Sequence, residues 1–261
     1  MTKLQPETNF YGHNVSAFLG PSPATLFEQH PLLASLWEDA KGYLLVRSND
    51  AHTLYAVSLA KTLLSHHRHA DPDIVLPAIL LHDIGWSSVV PDLVLSAIAP
   101  GGGNKELVLQ HEKEGARLAG ELLAKHGVGP DVLERISFII DGHDSRKEST
   151  SLEDSLVKDA DKLWRLTPHG IGTVMDWFGL TRLQAVDLCE SRVINHLFTD
   201  TARIIATGLL AVERANLFEQ RTGLPRRITA EENKCRDDPP RLGILHQASE
   251  RKRDRTFFGH Q

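Results

Sequence analysis

The sequence predicts an all-α fold. Gly, Pro and capping residues cut the chain into blocks of helical length, and alternating apolar and polar runs of strand type are almost absent. With 41% hydrophobic and 24% charged side chains over 261 residues, the chain can build an ordinary core and a solvated surface, which excludes global disorder. Residues 1–30, rich in Pro, Asn and Gly, read as an N-terminal arm. Helices are then expected at 32–46, 50–66, 72–83, 105–126, 131–140, 152–166, 182–198 and about 201–221, so that residues 31–222 form the helical domain. Asp71-Pro72 places an N-cap before a first-turn proline, and Thr181 to Gln184 fits a capping box. Residues 223–261, with DDPP and SERKRDR, read as a peripheral tail, although Thr229 to Glu232 could cap one more helix. The glycine run 101–103 reads as a connector, since GGGNK lacks the spacing of a phosphate-binding loop.

Composition narrows the function classes. With 29 basic against 34 acidic residues, the formal charge of −5 gives no global attraction to a nucleic acid polymer or an anionic membrane. The longest central apolar stretch, 74–81, is far too short for a membrane span. The opening residues lack a signal-peptide layout and the two cysteines, Cys189 and Cys235, lack metal or disulfide spacing, so a cytoplasmic protein is expected. The 14 histidines stand out, because imidazole serves metal binding and proton transfer near neutrality.

Helical phase turns two of them inward. His52 shares a face with Ala56, Leu59 and Leu63, and His111 with Leu107, Gly115, Leu118 and Leu122. His82 and Asp83 follow the apolar run IVLPAILL and precede Gly85, so an imidazole and a carboxylate stand where a buried helix runs out. His143 recurs in the same setting after ISFIIDG. On the helix expected at 152–166, Asp159 and Asp161 lie on opposite flanks of the apolar arc, and periodicity does not choose between them. The trio His66, His67 and His69 sits at an expected helix end, where the dipole favours imidazole without any metal.

The ordered set His52, His82-Asp83 and Asp161 within KDADKL resembles the signature of the HD-domain superfamily of metal-dependent phosphohydrolases, over about residues 45–166. That resemblance implies a helical bundle in which His82 and Asp83 are the catalytic core of the metal site. His111 and His143 resemble the extra histidines of members that hold two metals. By the resemblance, one divalent ion takes His52, His82, Asp83 and Asp161, and a second shares Asp83 and takes His111 and His143. The same family register prefers Asp161 to Asp159. Imidazole and carboxylate ligands suit iron, manganese or another first-row ion better than a thiolate-rich structural zinc site does. Trp86 and DGHDSRK stand where the cyclic-di-GMP branch carries HDIGK and Gly-Tyr-Pro, which disfavours that substrate; no HD…ED pattern of the stringent-response hydrolases follows Asp83.

The expected activity is hydrolysis of a small phosphoester or nucleotide by a metal-activated water. The resemblance keeps two alternatives open: a mixed-valent diiron oxygenase acting on a small phosphonate or polyol, and a non-catalytic metal-bound sensor. For substrate phosphate, Arg146 and Lys147, in the loop after His143, are expected to border the metal mouth, ahead of Lys105, Lys162 and Arg165. Trp164, Trp177 and Phe178 read as packing rather than a stacking platform, and Cys189 as a core residue. The helices after Thr181 either cover the site or form a homodimer face; the sequence leaves both open.

Overall fold

The structure, a computed structural model, describes residues 21–100 and 103–222, with side chains described as far as 217. Among the described residues there is no strand. The capping motif at Thr229 and the tail from 223 onward lie outside them. No described helix is long and apolar enough to cross a membrane.

The chain opens with a single turn, α1 (Pro23–Leu26), and a helix, α2 (Pro31–Ala40). Leu26 and Phe27, from the stretch expected to be an arm, are buried in the main core. The helix expected to run to 46 stops at Ala40, because Gly42 weakens its continuation and the chain turns through Tyr43 and Leu44. The helices α3 (Asn49–His66) and α4 (Pro72–Leu81) follow. Every residue of α4 from Ile74 to Leu81 is buried, as expected of a helix apolar on all sides. It packs on α2 and α3, and also on α7 (Pro130–Ile140) and α8 (Leu152–Trp164), which makes it the centre of the bundle. Asp71 accepts from the Asp73 N–H at its start, as the sequence predicts.

At its other end α4 unwinds. His82 is the last residue with helical backbone, Asp83 sits near φ −104°, ψ 4°, and a 3-10 helix runs from Ile84 to Ser88. This 3-10 helix packs tightly on α6 (Lys105–Lys125): a Cβ at Gly85 would stand 1.9 Å from the His111 carbonyl oxygen. Only glycine allows that approach, which brings the end of α4 onto the helix carrying His111.

Besides the single turn α1, two described helices have no counterpart in the sequence-based expectation, α5 (Pro91–Ala97) and α9 (Pro168–Phe178). The sequence of α9 contains Gly170 and Gly172, which depress helix propensity. Gly170 is required by crowding, since a Cβ there would lie 2.1 Å from the Trp164 carbonyl oxygen. The local cue for α9 is Thr167-Pro168, which caps it through Thr167 Oγ1 as Asp71-Pro72 caps α4. Then come α10 (Arg182–Val193), opened by the expected Thr181–Gln184 capping box, a short 3-10 turn at Ile194–His196, and α11 (Asp200–Thr222).

Candidate metal centre

All six ligands expected from the sequence come together. His52 arrives from α3, His82 and Asp83 from the unwound end of α4, and His111 from α6. His143 comes from the turn after α7, and Asp161 from α8. Each of them is buried. His52 Nε2 lies 3.0 Å from His82 Nε2, 3.4 Å from Asp161 Oδ1 and 3.5 Å from Asp83 Oδ2. On the other side, His111 Nε2 lies 3.4 Å from His143 Nε2, and the two approach Asp83 Oδ1 to 3.8 and 3.5 Å. Asp83 therefore turns one carboxylate oxygen to each group of ligand atoms.

These separations fit a cation's coordination shell. Donor atoms held about 2.1 Å from one first-row ion are themselves about 3.0 to 3.4 Å apart. The tautomers agree. His82 Nδ1–H donates to the Ile79 carbonyl at 2.7 Å and His143 Nδ1–H to the Ile140 carbonyl at 2.9 Å, so each ring turns its Nε2 atom into the cluster.

Electrostatics sharpen the picture. Burial pushes His52 down to about 3 and His111 down to about 4, keeping both rings neutral. Burial would also lower His143, but the Asp144 and Asp83 carboxylates outweigh it and push that ring up to about 10. Asp83 and Asp161 are held well below the usual carboxylate range: burial opposes this, and is overcome at Asp83 by His82, His143, His52 and Arg47 and at Asp161 by Arg165, His82 and His52. A cation bound beside His143 would displace its proton, which couples metal affinity to pH.

Three residues absent from the sequence reading complete the centre. Asp144 Oδ2 lies 3.6 Å from His111 Nε2 and 3.7 Å from His143 Nε2, giving the second group a carboxylate of its own. The available signal was the repeat of the His-Asp pair of 82–83 at 143–144. With a side chain 27% exposed, against 5% or less for the six expected ligands, Asp144 is where the cluster opens outward. Glu112, fully buried beside His111, accepts from the backbone N–H groups of Asp144 and Ser145 at 2.8 Å each and so fixes the 143–144 turn. Arg47 is buried and, with Ser48, adopts left-handed backbone at φ 57° and 61°, a conformation that disfavours side-chain-bearing residues and concentrates at functional sites. Its guanidinium reaches Asp83 Oδ2 at 3.4 Å and lies over Trp86 and Trp177, at 4.4 and 5.3 Å from the ring centres. Trp86 in turn donates to Asp83 Oδ1 at 3.0 Å and stacks on His111. Both oxygens of the central carboxylate are thus tethered from behind.

The remaining candidates separate. Asp159 turns away from the cluster and accepts from Phe198 N, Thr199 N and Thr199 Oγ1 at 2.7 to 2.9 Å, tying down the entry to α11. Arg146 is engaged by Asp154 and by the carbonyls of Phe138 and Asp141, while Lys147 is exposed on the surface. Neither lines the cavity of about 340 Å³ that adjoins the centre at Asp144; Lys162, Arg165 and Arg192 do. Asp154 draws the Arg146 guanidinium back onto the bundle, away from the position at the metal mouth expected for it. Of the histidine trio, His66 and His69 are exposed, and none joins a metal-competent group among the described residues.

Glu112→Ala is expected to loosen the 143–144 turn and weaken binding at the His111, His143 and Asp144 group by about 10- to 100-fold, the usual cost of losing an outer support of a metal ligand. The His52, His82 and Asp161 group should retain its affinity. Titration of metal-free protein with manganese followed by EPR separates the two, and two unchanged binding steps would refute the role assigned to Glu112.

Two solved structures resemble the chain. One, from an uncultured Thermotogales bacterium, is described as a predicted HD superfamily hydrolase; it is 22% identical, with a TM-score of 0.48 over 78% of this chain and 100% of its own. The other is the HD domain of the L. monocytogenes phosphodiesterase PgpH, 14% identical, with a TM-score of 0.39 over 72% of this chain and 99% of its own. No curated protein matches. The HD-domain family model matches residues 49–166, the stretch that supplies every residue of the two ligand groups.

Proposed function

We propose that this HD domain is a metal-dependent phosphohydrolase that acts on a small phosphoester. The observation that carries the reading is the position of Asp83, with one oxygen toward His52, His82 and Asp161 and the other toward His111, His143 and Asp144. A single closed structural ion would need neither the second group nor a shared carboxylate. When bound, two adjacent divalent cations would polarise a phosphoryl oxygen and make a water nucleophilic near neutral pH. Imidazole and carboxylate donors favour manganese or iron for that role.

The chain's own groups perform the rest. Burial keeps His52 and His111 unprotonated, so their lone pairs remain available at working pH. Trp86 and Arg47 hold the Asp83 carboxylate in the orientation that serves both sides. Arg165, which reaches Asp161 Oδ2 at 3.3 Å and also lines the cavity, brings positive charge to the boundary between ligands and substrate. Beside it, Lys162 and Arg192 attract a phosphate dianion and orient it. His196, which lines the cavity outside the ligand groups, would return a proton to the leaving oxygen.

Protein freed of metal by chelation and reloaded with manganese should release inorganic phosphate from phosphomonoesters, and renewed chelation should abolish the release. Failure of release, together with a coupled mixed-valent iron signal in the EPR spectrum of anaerobically purified protein, would replace hydrolysis with oxygenase chemistry.

A further inference from the structure

The cavity beside the metal centre has both charged and apolar lining. Asp144, Lys162, Arg165, Arg192 and His196 border it together with Val174, Trp177 and Phe178 from α9 and Leu188 and Val193 from α10. Asp144 belongs to a ligand group and Arg165 touches Asp161 of the other, so the cavity adjoins the candidate metal ligands. Cys189 adds to the apolar lining, as burial pushes its thiol up to about 12.

We infer that helices α9 and α10, which lie beyond the matched domain, form a selectivity wall that admits a phosphate or phosphonate carrying one compact apolar or aromatic substituent and rejects a polyol. The inference deepens the reading above and rests on it only in placing the phosphoryl group at the metals. The wall's aliphatic side chains offer no polar partner, so a polyol hydroxyl turned toward them would lose its hydrogen bonds to water without replacement. A hydrocarbon ring in the same place gains burial against Val174, Phe178, Leu188 and Val193, and the two aromatic residues provide edges and faces for a ring. Size adds a bound. A cavity of about 340 Å³ lies at the low end of the roughly 300 to 1,000 Å³ that hold small ligands, which suits a single substituent better than a dinucleotide. The cations Lys162, Arg165 and Arg192 in the lining set the polarity of entry, phosphate first toward Arg165 and the ligand groups.

Binding and turnover test this separately on the full chain loaded with manganese. Calorimetry under argon would compare phenylphosphonate, methylphosphonate and 2,3-dihydroxypropylphosphonate. Phenylphosphonate is expected to bind about tenfold or more tightly than either of the others. That preference should fall toward parity in Leu188→Asn and in Phe178→Ala, each checked for native helical content. Equal or tighter binding of the dihydroxypropyl compound, no binding of any phosphonate, or a preference unchanged in both folded variants would overturn the wall. The hydrolase reading fails differently: phenyl phosphate would release no phosphate even though the phenylphosphonate preference persists. Equal rates of phosphate release from phenyl phosphate and glycerol phosphate would leave the hydrolase standing and remove the wall.

Discussion

Asp83→Asn is expected to empty both metal positions and lower turnover by about a thousandfold or more. The carboxylate faces His52 and His82 with one oxygen and His111 and His143 with the other. An amide keeps the volume but presents one neutral oxygen and one NH2, so at least one group loses its anionic donor and the other gains a like-polarity neighbour. Two-metal stabilisation contributes several kcal/mol, and each 1.4 kcal/mol is about tenfold in rate. Arg47 would meanwhile keep its buried guanidinium without the charge that balances it, which costs stability as well. Metal analysis must therefore be made on protein shown by circular dichroism to be folded. His111→Ala provides the contrast, because it touches one oxygen of Asp83 and should empty one position. A wild-type metal content in folded Asp83→Asn would remove the shared-carboxylate assignment.

The parts of this centre that were legible in the sequence are those set by helical phase. His52 and His111 each lie on the apolar side of a long helix, and the phase that buries Leu63 or Leu118 buries them too. The end of α4 was legible as well, because an apolar run closed by His-Asp-Ile-Gly has to unwind before Gly85 meets α6. Asp144 was not, because it follows α7 in a turn, and its direction depends on Gly142 at φ 130° and on the Glu112 carboxylate 32 residues earlier. Neither is visible as a period. Arg146 shows the same limit in reverse: adjacency to His143 suggested the metal mouth, yet Asp154, eight residues on, decides where it points. The cavity wall has no legible sequence pattern for a third reason. Its helix α9 is rich in the glycine that close packing on Trp164 demands, so local propensity and tertiary need oppose each other there. Arg47 gave no pattern at all, since left-handed backbone at a residue bearing a long side chain is imposed by surroundings rather than by propensity.

Asp161→Asn and Asp159→Asn, two residues apart on α8, should fail in opposite ways. Asp161 Oδ1 lies 3.4 and 3.7 Å from the Nε2 atoms of His52 and His82, and Oδ2 receives Arg165. Its amide variant keeps the shape, loses the charge that draws a cation to this group, and leaves Arg165 unbalanced; metal affinity at the His52 and His82 group and turnover should fall together. Asp159 touches no ligand atom in that group. Its two oxygens accept two backbone N–H groups and one hydroxyl at the entry to α11, and an amide turns one of those acceptors into a donor facing donors. Leaving a buried donor unsatisfied costs about 1 to 3 kcal/mol, which in a domain of this size lowers the melting temperature by about 2 to 12 °C. Metal content should remain that of the wild type. The pair therefore separates ligand from scaffold with two instruments, metal analysis and thermal unfolding. Depleted metal in Asp159→Asn with an unchanged melting temperature, or full metal content in Asp161→Asn, would reverse the assignment and move the ligand to the other flank of α8.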